Sequence, residues 1–278
     1  MHYKNKKIMA YILTKTNGKF TIFSGCKCGG KIKNYGKSVC NSFTPSVPMK
    51  KPDLAIYSQL EEIQNGRVPS WDSPDISTND WGPFKLKREA TFIVRNLSDV
   101  PAINALAHFY TSPYGIGTKR ELKSSMRFSI GARSKIELLF PLHQTTLRGE
   151  QRLGVHLELE HPFDSNRINN YGAQVHDGAY TTESGKDFIF SFPVINDFHS
   201  NRDIQLSILP TDLITTIDQG LIRTYSPFEQ ITVSIHIRIP EYMVGTSENL
   251  LYKSISIIGR SSNGDLIGGV TRLVWINN

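Results

Sequence analysis

Gly154-Val-His-Leu-Glu-Leu-Glu-His161 is the stretch whose reading decides the fold class. In an extended chain Val155, Leu157 and Leu159 fall on one face, and His156, Glu158 and Glu160 on the other. That alternation is the period of a β-strand with one buried side and one wet side.

The same pattern recurs outward from it. Upstream, Ala90-Thr-Phe-Ile-Val-Arg95 reads as a strand with Asn96-Leu-Ser-Asp99 as its turn. Ala105-Leu-Ala-His-Phe-Tyr110 and Lys135-Ile-Glu-Leu-Leu-Phe140 are further strands. Downstream, Phe188, Phe190, Phe192 and Val194 alternate, then Ile204, Leu206 and Ile208. Ile231-Thr-Val-Ser-Ile-His-Ile-Arg-Ile239 places five apolar residues on one face. Ser254-Ile-Ser-Ile-Ile258 and Val270-Thr-Arg-Leu-Val-Trp-Ile276 complete the series. Short strands separated by turns at this spacing predict β-sandwiches. A chain of 278 residues holds two such domains, since domains usually run to roughly 100–150 residues. The expected organisation is an N-terminal arm over 1–51, one sandwich over 52–178 and a second over 179–278.

The arm stands apart by charge. Residues 1–51 contain eleven lysines, among them Lys4, Lys6, Lys7, Lys15, Lys19, Lys27, Lys31 and Lys33, and no Asp or Glu. With a net charge of +7 overall, the remainder carries −4. Such an arm either keeps the chain solvated or engages an anionic surface. All eleven cations are Lys, whereas bidentate recognition of phosphate or guanine favours Arg, so nucleic acid is the weaker partner class. Asn17-Gly18 between Ala10–Lys15 and Lys19–Phe23 predicts a hairpin with a type I′ turn. Asn41 to Pro52 is a Pro- and Ser-rich linker.

All three cysteines, Cys26, Cys28 and Cys40, lie in the arm. Structural zinc takes four ligands, commonly as C-x₂₋₄-C pairs. A C-x-C pair plus one cysteine leaves three readings open: free thiols, one disulfide with an odd cysteine, or a site completed by His2. No apolar run reaches the roughly 18 residues that cross a bilayer, and Ile8–Leu13 is too short for the core of a Sec signal.

Recognisable chemistry is sparse. There is no G-x-S-x-G elbow, H-E-x-x-H, P-loop or G-x-G-x-x-G, so no catalytic residue, metal site or cofactor is expected. His156, Glu158 and Glu160 form a carboxylate–imidazole patch, expected to be the solvated face of its strand. Asp164, Asn166, Asn169, Asn170 and Asp177 carry oxygens suited to calcium, but the same residue types bond turn backbone. Trp71 and Trp81, with Tyr110, Tyr114 and Tyr171, are candidates for a glycan platform. Gly268-Gly269 reads as a bulge or close-packing device.

Pro52-Asp53-Leu54, Ser73-Pro-Asp-Ile76, the turn at Val94-Arg-Asn96 and the loop His161-Pro-Phe-Asp-Ser-Asn-Arg-Ile-Asn-Asn170 resemble the bacterial cell-adhesion-related domain family (CARDB). The resemblance covers about residues 52–178 and implies an immunoglobulin-like sandwich. It departs from the family pattern between Glu61 and Trp81, a Pro/Ser/Asp-rich insertion. The second block, with its strand ending at Asn196 and its Pro240 and Gly245-Thr246 connection, resembles immunoglobulin-like modules of bacterial surface proteins and glycosidases. Such modules are spacers or interaction domains. The expectation is therefore an all-β, non-enzymatic protein of two tandem immunoglobulin-like sandwiches. Its partners would be proteins, copies of itself or a larger surface or particle assembly (virion, filament or injection apparatus), engaged through the arm. The alternative is a carbohydrate-binding accessory module.

Overall fold

The computed structural model describes residues 12–16, 19–23, 50–78, 88–142, 153–217, 221–243 and 251–277. Residues 1–48 and 49–278 form two compact units. In the first, β1 (Ile12–Thr16) and β2 (Lys19–Phe23) pair antiparallel with Thr16 opposite Lys19. This is the register that a two-residue connection at Asn17-Gly18 demands. The expected turn type lies outside the described residues.

The second unit holds both sandwiches. The first contains β3 (Leu54–Ala55), α1 (Gln59–Gln64), β4 (Ile76–Ser77), β5 (Arg88–Asn96), β6 (Ala102–Pro113), β7 (Glu121–Ile130), β8 (Lys135–Leu142), β9 (Leu153–Glu160) and β10 (Tyr171–Gln174). One sheet has β8 along one edge of β5, with β3 and β4 on its other edge. The facing sheet runs β10-β9-β6-β7, antiparallel throughout. Phe92, Phe109 and Phe140 meet between the sheets with ring centroids 5.0–5.7 Å apart. Val155, Leu157 and Leu159 join that core as the alternation predicts.

The second sandwich contains β11 (His176–Glu183), β12 (Asp187–Ile195), β13 (Arg202–Ile208), β14 (Ile214–Ile217), β15 (Ile222–Tyr225), β16 (Gln230–Arg238), β17 (Leu251–Ser261) and β18 (Leu266–Asn277). Its sheets run β12-β16-β14 and β11-β18-β17-β13-β15. In both sandwiches the strand after a turn crosses to the opposite sheet: β5 pairs β8 while β6 pairs β9, and β12 pairs β16 while β13 pairs β17. That interleaving is the immunoglobulin-like plan.

Each crossing is closed by a buried asparagine at the end of its strand. Asn96 donates from Nδ2 to the carbonyls of Val100 (2.7 Å) and Gly131 (3.0 Å), and its Oδ1 accepts from Ser98 N–H. Asn196 donates to the carbonyls of Ser200, Tyr225 and Ser226 at 2.8–3.1 Å, and its Oδ1 accepts from Phe198 N–H. One side chain thereby satisfies backbone groups that the turn would otherwise bury unpaired.

Two segments of the first sandwich tie it to the second. The insertion after β3 folds into α1, capped by Ser58, and then an extended stretch. Gln59 fastens that stretch, donating to the carbonyls of Ser70 (2.9 Å) and Ala173 (2.7 Å) and accepting from Ala173 N–H. Trp71 at its end donates its N–H to Thr271 Oγ1 (2.8 Å) and accepts from Val175 N–H (2.7 Å). The indole lies against Gly269, where a Cβ would stand 2.5 Å from the ring, so only glycine admits it.

The second tie is the β6–β7 loop. Ile116 N–H donates to Pro193 O (3.0 Å), and Ile195 N–H donates back to Ile116 O (2.9 Å). The loop is thus a one-residue strand added to the edge of β12. Pro193 is tolerated there because an edge strand can dispense with an N–H. The Ile116 side chain enters the second core, packing on Gly259. At Gly117, φ is +78° and a Cβ would stand 2.1 Å from Ile195 O. Among the described residues no helix is long and apolar enough to cross a membrane.

Candidate functional site

The outer face of β10-β9-β6-β7 borders a cleft between the two sandwiches, with a volume of about 370 Å³. Strand register sets its residues. Tyr171 of β10 lies opposite Glu158 of β9, and Tyr110 of β6 lies opposite His156. Arg120 enters just before β7. Its guanidinium sits over the rings of Tyr171 (4.8 Å) and Tyr110 (5.2 Å), a cation–π placement that fixes it. Glu158 is its nearest carboxylate at 3.9 Å, beyond hydrogen-bond distance. Gln59, Trp71 and Val175 line one wall, and Leu266 and Ile267 of the second sandwich line another.

His156 lies beneath Arg120. It was expected on a solvated face, but it is only 6% exposed. The alternation of β9 held; what changed is that the Tyr171 ring stacks on this end of the strand. Glu160, at the far end of the same face, is exposed and reaches His108 at 3.3 Å. His156 Nδ1 is 2.7 Å from Tyr171 Oη, and Nε2 is 2.9 Å from Ser112 Oγ. Ser112 Oγ also lies 3.1 Å from Pro113 O. One assignment satisfies every atom: Tyr171 O–H donates to Nδ1, Nε2–H to Ser112 Oγ, and Ser112 O–H to the carbonyl. Burial, and secondarily the Arg120 charge, hold the imidazole neutral, its pKa lowered from 6.5 to about 3. Burial also pushes the Tyr171 phenol up to about 12.

This Ser–His contact does not read as a nucleophile and its base. Ser112 is 3% exposed, its proton is committed to a backbone carbonyl, and a phenol rather than a carboxylate orients the imidazole. The network is suited to holding Tyr171, and through it Arg120, in one place.

The other sequence candidates are dispersed. Trp71 is 3% exposed with its ring enclosed, which leaves no open face for a sugar to stack on; Tyr114 is buried too. Trp81, the three cysteines, Lys4, Lys6, Lys7, Lys27, Lys31 and Lys33 lie outside the described residues. Lys15 and Lys19 fall on β1 and β2. In the Asp/Asn loop, Asp164 accepts from the N–H groups of Leu54 (3.1 Å) and Asn166 (3.0 Å), and Asn166 from Ile168 (3.2 Å). Among the described residues no group of three His, Cys, Asp or Glu is placed to hold a metal. Sequence reasoning missed Arg120, Gln59 and Ser112. No motif marks them; only the pairing of β6 with β9 and the path of the insertion bring them together.

No family model matches the chain, and no curated protein matches it. Among solved structures, the PapD-like domain 7 of human CEP192 is 11% identical with a TM-score of 0.26, over 35% of this chain and 80% of that one. Red sea bream transglutaminase is 10% identical at 0.29, over 78% of this chain and 33% of that one. The CupB6 tip adhesin from Pseudomonas aeruginosa is 6% identical at 0.23, over 68% and 90%. At these scores the likenesses carry no functional argument, and the immunoglobulin-like plan rests on strand order and register.

Proposed function

We propose that this protein is a non-enzymatic interaction subunit. A fixed double sandwich serves as its body, and the lysine-rich N-terminal arm is its docking element. The observation that carries this reading is the division of labour along the chain. The acid-free arm forms its own compact unit with a two-stranded hairpin, whereas the sandwiches are tied to each other by backbone hydrogen bonds and a shared apolar core. An isolated hairpin is marginal in water, so this one gains stability by lying on another surface, a neighbouring copy or a partner sheet edge.

The first sandwich is best read as CARDB-like. The segments behind that resemblance meet: Asn169 Nδ2 donates to Asp53 Oδ1 (3.1 Å), and Ile56 N–H donates to Asn169 O (2.9 Å). A place in a virion, filament or injection apparatus is one setting for such a subunit.

Light scattering of the full chain and of a chain lacking residues 1–50 tests the proposal. The full chain should assemble, with itself or on its partner, and the truncated chain should remain folded but monomeric. Equal particle sizes with and without the arm, or a monomer in both cases, would refute it.

A further inference from the structure

We infer that the cleft between the sandwiches is a binding site for a small zwitterion, an α-amino acid with an apolar side chain. The inference is independent of the arm. The cleft volume of about 370 Å³ falls within the roughly 300–1,000 Å³ typical of small-molecule sites.

Two opposite charges face it, Arg120 and Glu158, close enough to attract but not hydrogen-bonded to each other. Arg120 is fixed from two sides by Tyr110 and Tyr171, yet its nearest carboxylate oxygen is 3.9 Å away. A planar carboxylate on the ligand would take the bidentate hydrogen bonds that Glu158 does not make. Glu158, beside Arg120 at 3.9 Å, would accept from an adjacent ammonium. A simple anion would be repelled by the neighbouring Glu158 carboxylate, and an apolar ligand would partly desolvate both charges without replacement. His156 adds no charge, since burial keeps it neutral. The side chain of the amino acid would lie on Leu266 and Ile267 of the lining.

Sugars are disfavoured by the same geometry. Arg120 lies over the rings of Tyr110 and Tyr171, and the Trp71 ring packs against Gly269. The stacking faces that a pyranose uses are therefore taken.

Calorimetric titration of the full chain tests the site. The probes are L-leucine, 4-methylpentanoate (no ammonium) and 3-methylbutylamine (no carboxylate), with glucose and inorganic phosphate as controls. Leucine should bind, and each single-charge analogue at least tenfold more weakly. Arg120→Leu should abolish leucine binding. Glu158→Gln should shift preference toward 4-methylpentanoate, a swap that a merely damaged fold cannot produce. If Arg120→Leu fails to fold, Arg120→Lys should still weaken leucine binding severalfold while retaining it. No binding of leucine, tighter binding of glucose or phosphate, or unchanged selectivity in Glu158→Gln would overturn the inference.

Discussion

The two sandwiches share a plan and differ at their first strands. In the first, β3 and β4 lie antiparallel on β5, so that edge is paired within the sandwich. In the second, β11 runs parallel to β18 instead, and among the described residues β12 pairs by backbone only with β16 and the Ile116 loop. Moving one strand to the opposite sheet opens the edge of β12, and the β6–β7 loop of the neighbouring domain occupies part of it. Tandem sandwiches move relative to one another by default unless their interface is large and apolar. Here the difference between the domains opens the place for one of the two ties, the Ile116 contact, while the other is Trp71 on β18.

Removing the wedge is the most severe way to break the comparison. Trp71→Ala should lower stability by about 3–5 kcal/mol, the usual loss for a buried aromatic. It should also turn one denaturant transition into two, as the sandwiches unfold separately. Single-step unfolding with unchanged midpoint would show that the junction contributes little.

The paired asparagines sharpen the comparison. Asn96→Ala and Asn196→Ala each leave buried backbone groups unpaired, at about 2–4 kcal/mol. Each side chain makes four contacts, Asn96 also accepting from Asp53 N–H, so the two losses should be similar. Urea melts of the two variants compare them directly, and losses differing by more than about 1 kcal/mol would contradict the equivalence.

His156 gives the junction a pH dependence. The unfolded imidazole takes a proton near pH 6.5, while the folded one resists it down to about 3. Its contribution is complete above pH 6.5 and is lost as the pH falls toward 3, amounting to about 2 kcal/mol by pH 5. His156→Gln should flatten that part of the stability profile. The smallest effect belongs to the exposed rim. Tyr252 O–H donates to Asp72 across the junction (3.0 Å), and Tyr252→Phe should cost roughly 0.5 kcal/mol in thermal or chemical melts.

Strands with a strict alternation were legible in the sequence, since one buried face leaves a period of two. β9, β12 and β16 show it clearly. β7 was not singled out: Met126, Phe128 and Ile130 do alternate towards the core, but its first half, residues 121–125, is mostly polar and exposed, as suits an edge strand, and leaves the run short. Short pairings such as β4, β10 and β15 have too few residues for any period. The stretch between Glu61 and Trp81 was read as an interruption of a family pattern. Its described part is instead half of the junction, and Trp71, a candidate for a glycan platform, is a buried wedge there. The candidate cleft was illegible for the same reason. Arg120, Tyr171 and Gln59 are far apart in the chain, and only the register of four strands and the docking of the second sandwich bring them together.

The account stands on the two sandwiches behaving as one body. Scanning calorimetry of residues 49–278 tests this most directly, by comparing the calorimetric enthalpy with the van't Hoff value. The account predicts a single transition with the two enthalpies equal. Two resolved transitions, or a calorimetric enthalpy about twice the van't Hoff value, would contradict it.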